Sequence, residues 1–176
     1  MVAISGSDTV LDVGTGTGAV LREVERLAVP PVQRIGVDLS KPMLARARAT
    51  LSVGTELLAA DARALPLADA SVDVATCAYL LHLLPTTART AVLRELHRVL
   101  VPCGRLGVVT VAPPKGGLAR LVSAPVHAAA ERSSGVLGGL RPLDPRDELR
   151  AAGSDVGAAR RVSLGYPSLC VVARRR

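Results

Sequence analysis

A chain of 176 residues, 49% of them apolar, is long enough for one domain with a substantial core and too short for a cofactor domain with an independent substrate domain beside it. The net charge of +7 comes from basic residues scattered along the chain, apart from Arg160-Arg161 and Arg174 to Arg176; with no Phe, no Trp and only two Tyr for bases to stack on, a solvated arginine surface is favoured over nucleic-acid binding. Three cysteines without C-x-x-C spacing and three histidines without i, i+4 pairing give no metal site and no disulfide framework; with no signal-like start and no apolar run of membrane-span length, a reduced, cytoplasmic protein is expected.

Val10 to Val13 predicts a core strand that passes through Asp12 and opens at Gly14, Gly16 and Gly18 into a tight turn and a helix. Such a loop lets a small polar ligand reach the main chain. The helix carries Val20, Leu21, Val24, Leu27 and Ala28 on one face, and Pro30-Pro31 stops it. Arg34 to Leu39 predicts a second strand ending in Asp38, and Ser40 caps a helix from Lys41 to about Thr50. Leu57 to Ala60 is a third strand, ending in Asp61. Val72 to Ala78 is the fourth; Thr86 caps a helix to about Leu100, with Ala88, Val92, Leu93, Leu96 and Val99 inward. Val101 to Gly104 reads as a turn into a fifth strand, Arg105 to Val111. The alternation predicts βαβ units over one parallel sheet, with Asp12, Asp38 and Asp61 brought toward its carboxyl edge, where ligands bind.

Ala112 to Leu143 is looser, with a helix expected from Leu118 to Arg132 and a glycine-rich stretch after it. Asp144-Pro145 then reads as the cap and first turn of a helix closing at Gly153, before two last strands, Val156 to Leu164 and Ser168 to Ala173, around Gly165-Tyr166-Pro167.

Taken together, Val10 to Gly18, Val37-Asp38-Leu39-Ser40, Ala60-Asp61-Ala62 with Leu65-Pro66 and Ser71-Val72-Asp73, and Leu93 to Leu106 resemble the class I S-adenosylmethionine-dependent methyltransferases, in particular the small-molecule branch that includes quinone-biosynthesis enzymes. The resemblance covers almost the whole chain. It implies an α/β fold: a Rossmann-like doubly wound sheet of about seven strands, mostly parallel with an antiparallel last strand and helices on both faces. A single domain spans residues 1–176, with 112–143 as a lid or acceptor-side insertion. Relatives usually carry helices before the first strand, and this sequence reaches Val10 almost at once. The resemblance therefore implies missing N-terminal cap helices, an open acceptor side, and exposed apolar surface that favours self-association into a homodimer.

The resemblance also implies the site. S-adenosyl-L-methionine, leaving as S-adenosyl-L-homocysteine, would be held by Asp12, Gly14, Thr15, Gly16, Gly18, Asp38, Leu39, Met43, Asp61, Ala62 and Ala78. Asp12 would lie near the ammonium group, the glycines against the methionine part, Asp38 on the ribose hydroxyls, Met43 on the adenine face, and Asp61 with the Ala62 N–H on the adenine edge. His82 matches the first of a histidine pair common in the family and is the candidate base, although Leu83 stands where the second would be. Tyr79 and His127 are further candidates for the acceptor pocket. The partner implied is a small-molecule acceptor methylated on O, C or N.

Two alternatives remain on the sequence. Gly14-x-Gly16-x-x-Ala19 with Asp38 beyond it also satisfies a dinucleotide fingerprint, which would make the protein an NAD(P)-dependent oxidoreductase. Asp12 argues against that, because a carboxylate beside the glycine loop repels a pyrophosphate and attracts an ammonium group. The other alternative is an S-adenosylmethionine-binding protein without turnover.

Overall fold

A computed structural model describes residues 2–27, 29–31, 33–113, 142–162 and 167–176. In chain order the elements are β1 (Thr9–Val13), α1 (Ala19–Glu25), β2 (Gln33–Asp38), α2 (Lys41–Arg48), β3 (Thr55–Ala59), β4 (Val72–Ala78), a 3₁₀ turn (Leu81–Leu83), α3 (Thr86–Val99), β5 (Leu100–Val111), α4 (Arg146–Ala151), β6 (Ser154–Val162) and β7 (Ser168–Arg175). The expected helix over 118–132, most of the 112–143 stretch with His127, and the Gly165-Tyr166 corner lie outside the described residues.

The strands form a seven-stranded sheet in the order β3-β2-β1-β4-β5-β7-β6. β3, β2, β1, β4 and β5 run parallel, and β7 lies antiparallel between β5 and β6. This is the α/β sheet the sequence predicts. From β1 the chain moves outward through β2 to β3, then returns to place β4 on the other side of β1. The strand order therefore reverses between β1 and β4, and the crevice at their carboxyl ends is where such a sheet takes a ligand.

Burial explains the sheet. β1 is buried from Val10 to Val13, and β4 buries Val72, Val74, Ala75 and Cys77. The core built on Leu11, Val13, Leu81, Leu96, Leu100, Leu106 and Leu149 uses leucine and valine where another protein would use aromatic rings. Each fully buried Leu or Val contributes roughly 2 kcal/mol of apolar transfer.

Four local expectations are corrected. α1 ends at Glu25 rather than running on to the prolines; the N–H groups of Arg26 and Leu27 turn back to Glu23 O and Val24 O, and this tightened turn swings Leu27 into solvent. Thr86 does not cap, since Pro85 occupies the cap position; Asp144 accepts from the first helical N–H, that of Arg146, at 3.3 Å and also binds the Arg146 side chain. Val101 to Gly104 lies inside β5 as a bulge, because Val72 pairs with Leu100 and Val74 already with Arg105. A Cβ on Gly104 would stand 2.7 Å from Val101 O, so the bulge needs glycine there.

Last, of the four crossovers that link β1 to β5, three carry a helix and one, residues 60–71, is a loop. Side chains of α3 hold that loop instead. Arg98 donates to Leu67 O at 2.8 Å, to Leu65 O at 3.0 Å and to the Asp69 carboxylate at 2.7 Å, while Glu95 accepts from Leu65 N at 2.7 Å. The carboxyl end of β3, with Asp61, is thereby fixed against the centre of the fold.

Candidate functional site

The glycine loop leaves β1 at Val13 and is tied at once to the next strand: Gly14 N and Thr15 N both donate to Val37 O, at 2.8 and 3.0 Å. Its glycines answer different constraints. A Cβ on Gly14 would press on Leu80 at 3.1 Å, and one on Gly18 would lie 2.7 Å from Leu51 Cδ1. Among the described residues a Cβ on Gly16 would meet nothing within 4 Å, which leaves space for a ligand against the main chain there. Gly16 and Gly18 also hold φ of 55° and 78°, the left-handed region that favours glycine.

Asp38, at the end of β2, closes this loop from the other side. Its Oδ2 accepts from Gly16 N at 2.8 Å and its Oδ1 from Ser40 N at 2.8 Å, so one carboxylate joins the glycine loop to the start of α2. Ser40 caps that helix as expected, through Met43 N. Each oxygen of a carboxylate has two acceptor positions, so among the described residues Asp38 keeps one open on each.

Asp12 lies beneath the loop and is buried. It is in register with Thr76 of β4, whose hydroxyl donates to Asp12 Oδ1 at 2.6 Å. Burial pushes the Asp12 carboxyl up to about 6; the hydroxyls of Thr76 and Thr15 oppose the shift, and the charge of Asp38 adds to it. Thr15 Oγ1 is itself buried and near that carboxylate, yet it makes no hydrogen bond of normal geometry among the described residues.

The raised value at Asp12 has a sign. Below 3.8 the carboxyl is protonated both folded and unfolded; above about 6 it is charged in both, and burying that charge costs about 3 kcal/mol in the ligand-free protein. Stability is therefore lost as pH rises through this window. Asp12→Asn keeps an acceptor for Thr76 and removes the charge, so its stability relative to wild type should rise between pH 4 and pH 7 by up to about 3 kcal/mol in urea melts. A difference that stays flat across that range contradicts a buried, titrating Asp12.

Asp61, after β3, is bound by its own neighbour. Arg63 Nε lies 3.0 Å from both carboxylate oxygens, Arg63 Nη2 donates to Oδ2 at 2.6 Å, and Arg63 N donates to Oδ1 at 2.8 Å. These bonds hold the Asp61 carboxyl below the usual carboxylate range.

A cleft of about 340 Å³ lies at this edge of the sheet. It is within the size range of small-molecule sites. Of the residues expected at the site, Gly14, Asp38, Leu39, Asp61 and Ala62 line it. Asp12, Thr15, Gly16, Gly18, Met43, Ala78 and His82 are not on its wall: Asp12 is buried below the loop, Met43 is exposed on α2, and Ala78 ends β4 half-buried. The opposite wall is apolar, made by Leu80, Leu84, Pro85, Ala88 and Val92. Val92 is buried in the core, as the sequence predicts, and also borders the cleft; Arg63 was missed, with the Asp61-x-Arg63 spacing as the signal available.

His82 lies in the 3₁₀ turn, buried, with Nδ1 unpartnered among the described residues. Burial lowers its pKa and favours the neutral ring. Tyr79 packs edge-on to it at 6.0 Å, holds a φ of 55°, and shares a 2.6 Å hydrogen bond with Ser168.

Residues 10–104 match the family described as a methyltransferase domain. The chain is 39% identical over 116 residues to a demethylmenaquinone methyltransferase of Thermus thermophilus, covering 64% of this chain and 51% of that one. It is 36% identical over 110 residues to a ubiquinone/menaquinone biosynthesis C-methyltransferase of Desulfotalea psychrophila, covering 62% and 44%. The chain thus spans about half the length of these curated relatives. Among solved structures, an S-adenosylmethionine-dependent methyltransferase from Mesorhizobium loti superposes with a TM-score of 0.74 at 20% identity, covering 99% of this chain and 94% of that one. At that identity the likeness concerns the fold. With more than half of its length inside the matched segment, the chain belongs to the methyltransferase domain family.

Proposed function

We propose that the protein binds S-adenosylmethionine at the β1–β2–β3 edge and catalyses transfer of its methyl group to a small, partly apolar acceptor. The observation that carries this reading is the pairing of a buried carboxylate, Asp12, with a glycine loop clamped by Asp38 and, among the described residues, uncovered beside Gly16. A pyrophosphate brought against that loop would sit over a buried negative charge, whereas an α-ammonium group would neutralise it. When bound, the cofactor supplies a methyl group on a positively charged sulfur, a good leaving group.

The residues present fit it. Asp38 has one open acceptor position on each oxygen, the number needed for two ribose hydroxyls. Leu39 and Met43 are exposed apolar side chains beside Asp38, suited to packing on a purine. Asp61 and Ala62 N–H are the groups for the purine edge, and Ala78 for a main-chain contact. Catalysis then consists mainly of aligning the acceptor with the methyl group and excluding water. His82, neutral through burial, is the group proposed to take a proton where the acceptor must lose one.

Resemblance to demethylmenaquinone methyltransferases makes a reduced quinone precursor the first acceptor to try. The protein incubated with tritium-labelled S-adenosylmethionine and reduced demethylmenaquinone should move label into the organic phase. Label that stays with the cofactor, in a protein that binds S-adenosylhomocysteine, would leave a binding domain that does not turn over this acceptor.

A further inference from the structure

We infer that Arg63 is a specificity-determining residue: it occupies the acceptor positions of Asp61 in the free protein, so that a purine bearing an exocyclic amine must displace it and a purine bearing a carbonyl is helped by it. This rests on the proposed cofactor and concerns the residue that modulates the recognition of its base.

A carboxylate has about four acceptor positions. Three Arg63 N–H groups make four contacts with Asp61, N and Nε on Oδ1 and Nε and Nη2 on Oδ2, the single Nε hydrogen being shared, so that each oxygen is approached by two donors. Asp38, facing the same cleft, receives one N–H on each oxygen and keeps two positions open. The two carboxylates of the cleft are therefore not equivalent. Asp38 is ready for a ligand's hydroxyls, and Asp61 is already engaged.

The engagement is reversible. The Arg63 side chain is 57% exposed against 34% for Asp61, so the pair is screened by water and opens at little cost. Arg63 also lines the cleft, so a guanidinium released from Asp61 stays within reach of the bound base. The pair thus offers an acceptor when Arg63 swings away from Asp61 and a donor through the Arg63 N–H groups not spent on Asp61. An amine at the purine six-position needs the first, and a carbonyl oxygen there needs the second. With Arg63 removed, only the acceptor remains, and the site becomes more selective for adenine.

Asp61 keeps its place without Arg63. The backbone around it is fixed by Ala60 N to Asp38 O at 3.2 Å, Ala64 N to Asp61 O at 3.0 Å, and Leu65 N to Glu95 at 2.7 Å. Arg63→Ala accordingly changes the charge facing the base and leaves the loop standing.

The test is calorimetric titration of wild type, Arg63→Ala and Arg63→Lys with S-adenosylhomocysteine and with S-inosylhomocysteine, at about 20 mM and about 500 mM salt. Arg63→Ala should bind S-adenosylhomocysteine about two- to five-fold more tightly than wild type at low salt, with the gain shrinking at high salt as the ion pair is screened in wild type. It should bind S-inosylhomocysteine more weakly than wild type does, and Arg63→Lys, a cation without the fork, should fall between the two. Unchanged or weaker binding of S-adenosylhomocysteine by Arg63→Ala, with wild type binding normally, overturns the inference alone. A wild type that binds neither ligand overturns the cofactor reading and the inference with it.

Discussion

Asp38→Ala should lower affinity for S-adenosylhomocysteine by about 100-fold or more, since each of two hydrogen bonds to a charged acceptor contributes about 1.5–3 kcal/mol. The loss has two sources. The ribose hydroxyls lose their acceptor, and Gly16 N and Ser40 N lose theirs, so the glycine loop is no longer held to the end of β2. Asp38→Asn separates the two. Its single carbonyl oxygen can accept from either Gly16 N or Ser40 N and its amide group only donates, so it should restore part of the stability and little of the binding. Thermal melts alongside calorimetry provide both readings, and an Asp38→Ala protein that binds as wild type does removes Asp38 from the site.

The next largest effects come from two glycines that are two residues apart and answer to different forces. Gly18→Ala should destabilise the fold by about 2–4 kcal/mol, because a Cβ would be driven against Leu51 and Ala47 on top of the strain of a left-handed backbone. Gly16→Ala meets nothing among the described residues, so its cost is the backbone strain, about 1–2 kcal/mol. Its Cβ enters the space reserved here for the ligand, and binding of S-adenosylhomocysteine should fall at least about ten-fold. A melt and a titration on each variant check the pair. If Gly16→Ala binds normally, the ligand does not lie against Gly16.

The parts of this architecture that could be read from the chain are those encoded by near neighbours. Val72 to Ala78 is bounded as a strand by its own pattern, and Ser40 followed by Pro42 marks the start of α2 because cap and proline act within one turn. The carboxylates at successive strand ends were legible for the same reason, since each closes an apolar run. What escaped depends on partners far along the chain. Arg98 replaces a crossover helix by holding residues 65, 67 and 69 about thirty positions away, and nothing around Arg98 announces this. The bulge at Val101 to Gly104 exists because β5 must meet β4 in two registers, which a single strand's sequence does not record. At the site, the acidic residues were found but their occupancy was not. That Asp38 accepts from Gly16, twenty-two residues away, becomes visible only when the side chains are placed, whereas Arg63, two residues from Asp61, was a local signal passed over.

The proposed cofactor requires Asp12 and the glycine loop to select an ammonium-bearing nucleoside over a pyrophosphate. Calorimetric titration of the wild-type protein with S-adenosylhomocysteine and, separately, with NADH decides that directly. Saturable binding of S-adenosylhomocysteine and no detectable binding of NADH is the predicted result; binding of NADH without binding of S-adenosylhomocysteine would contradict it.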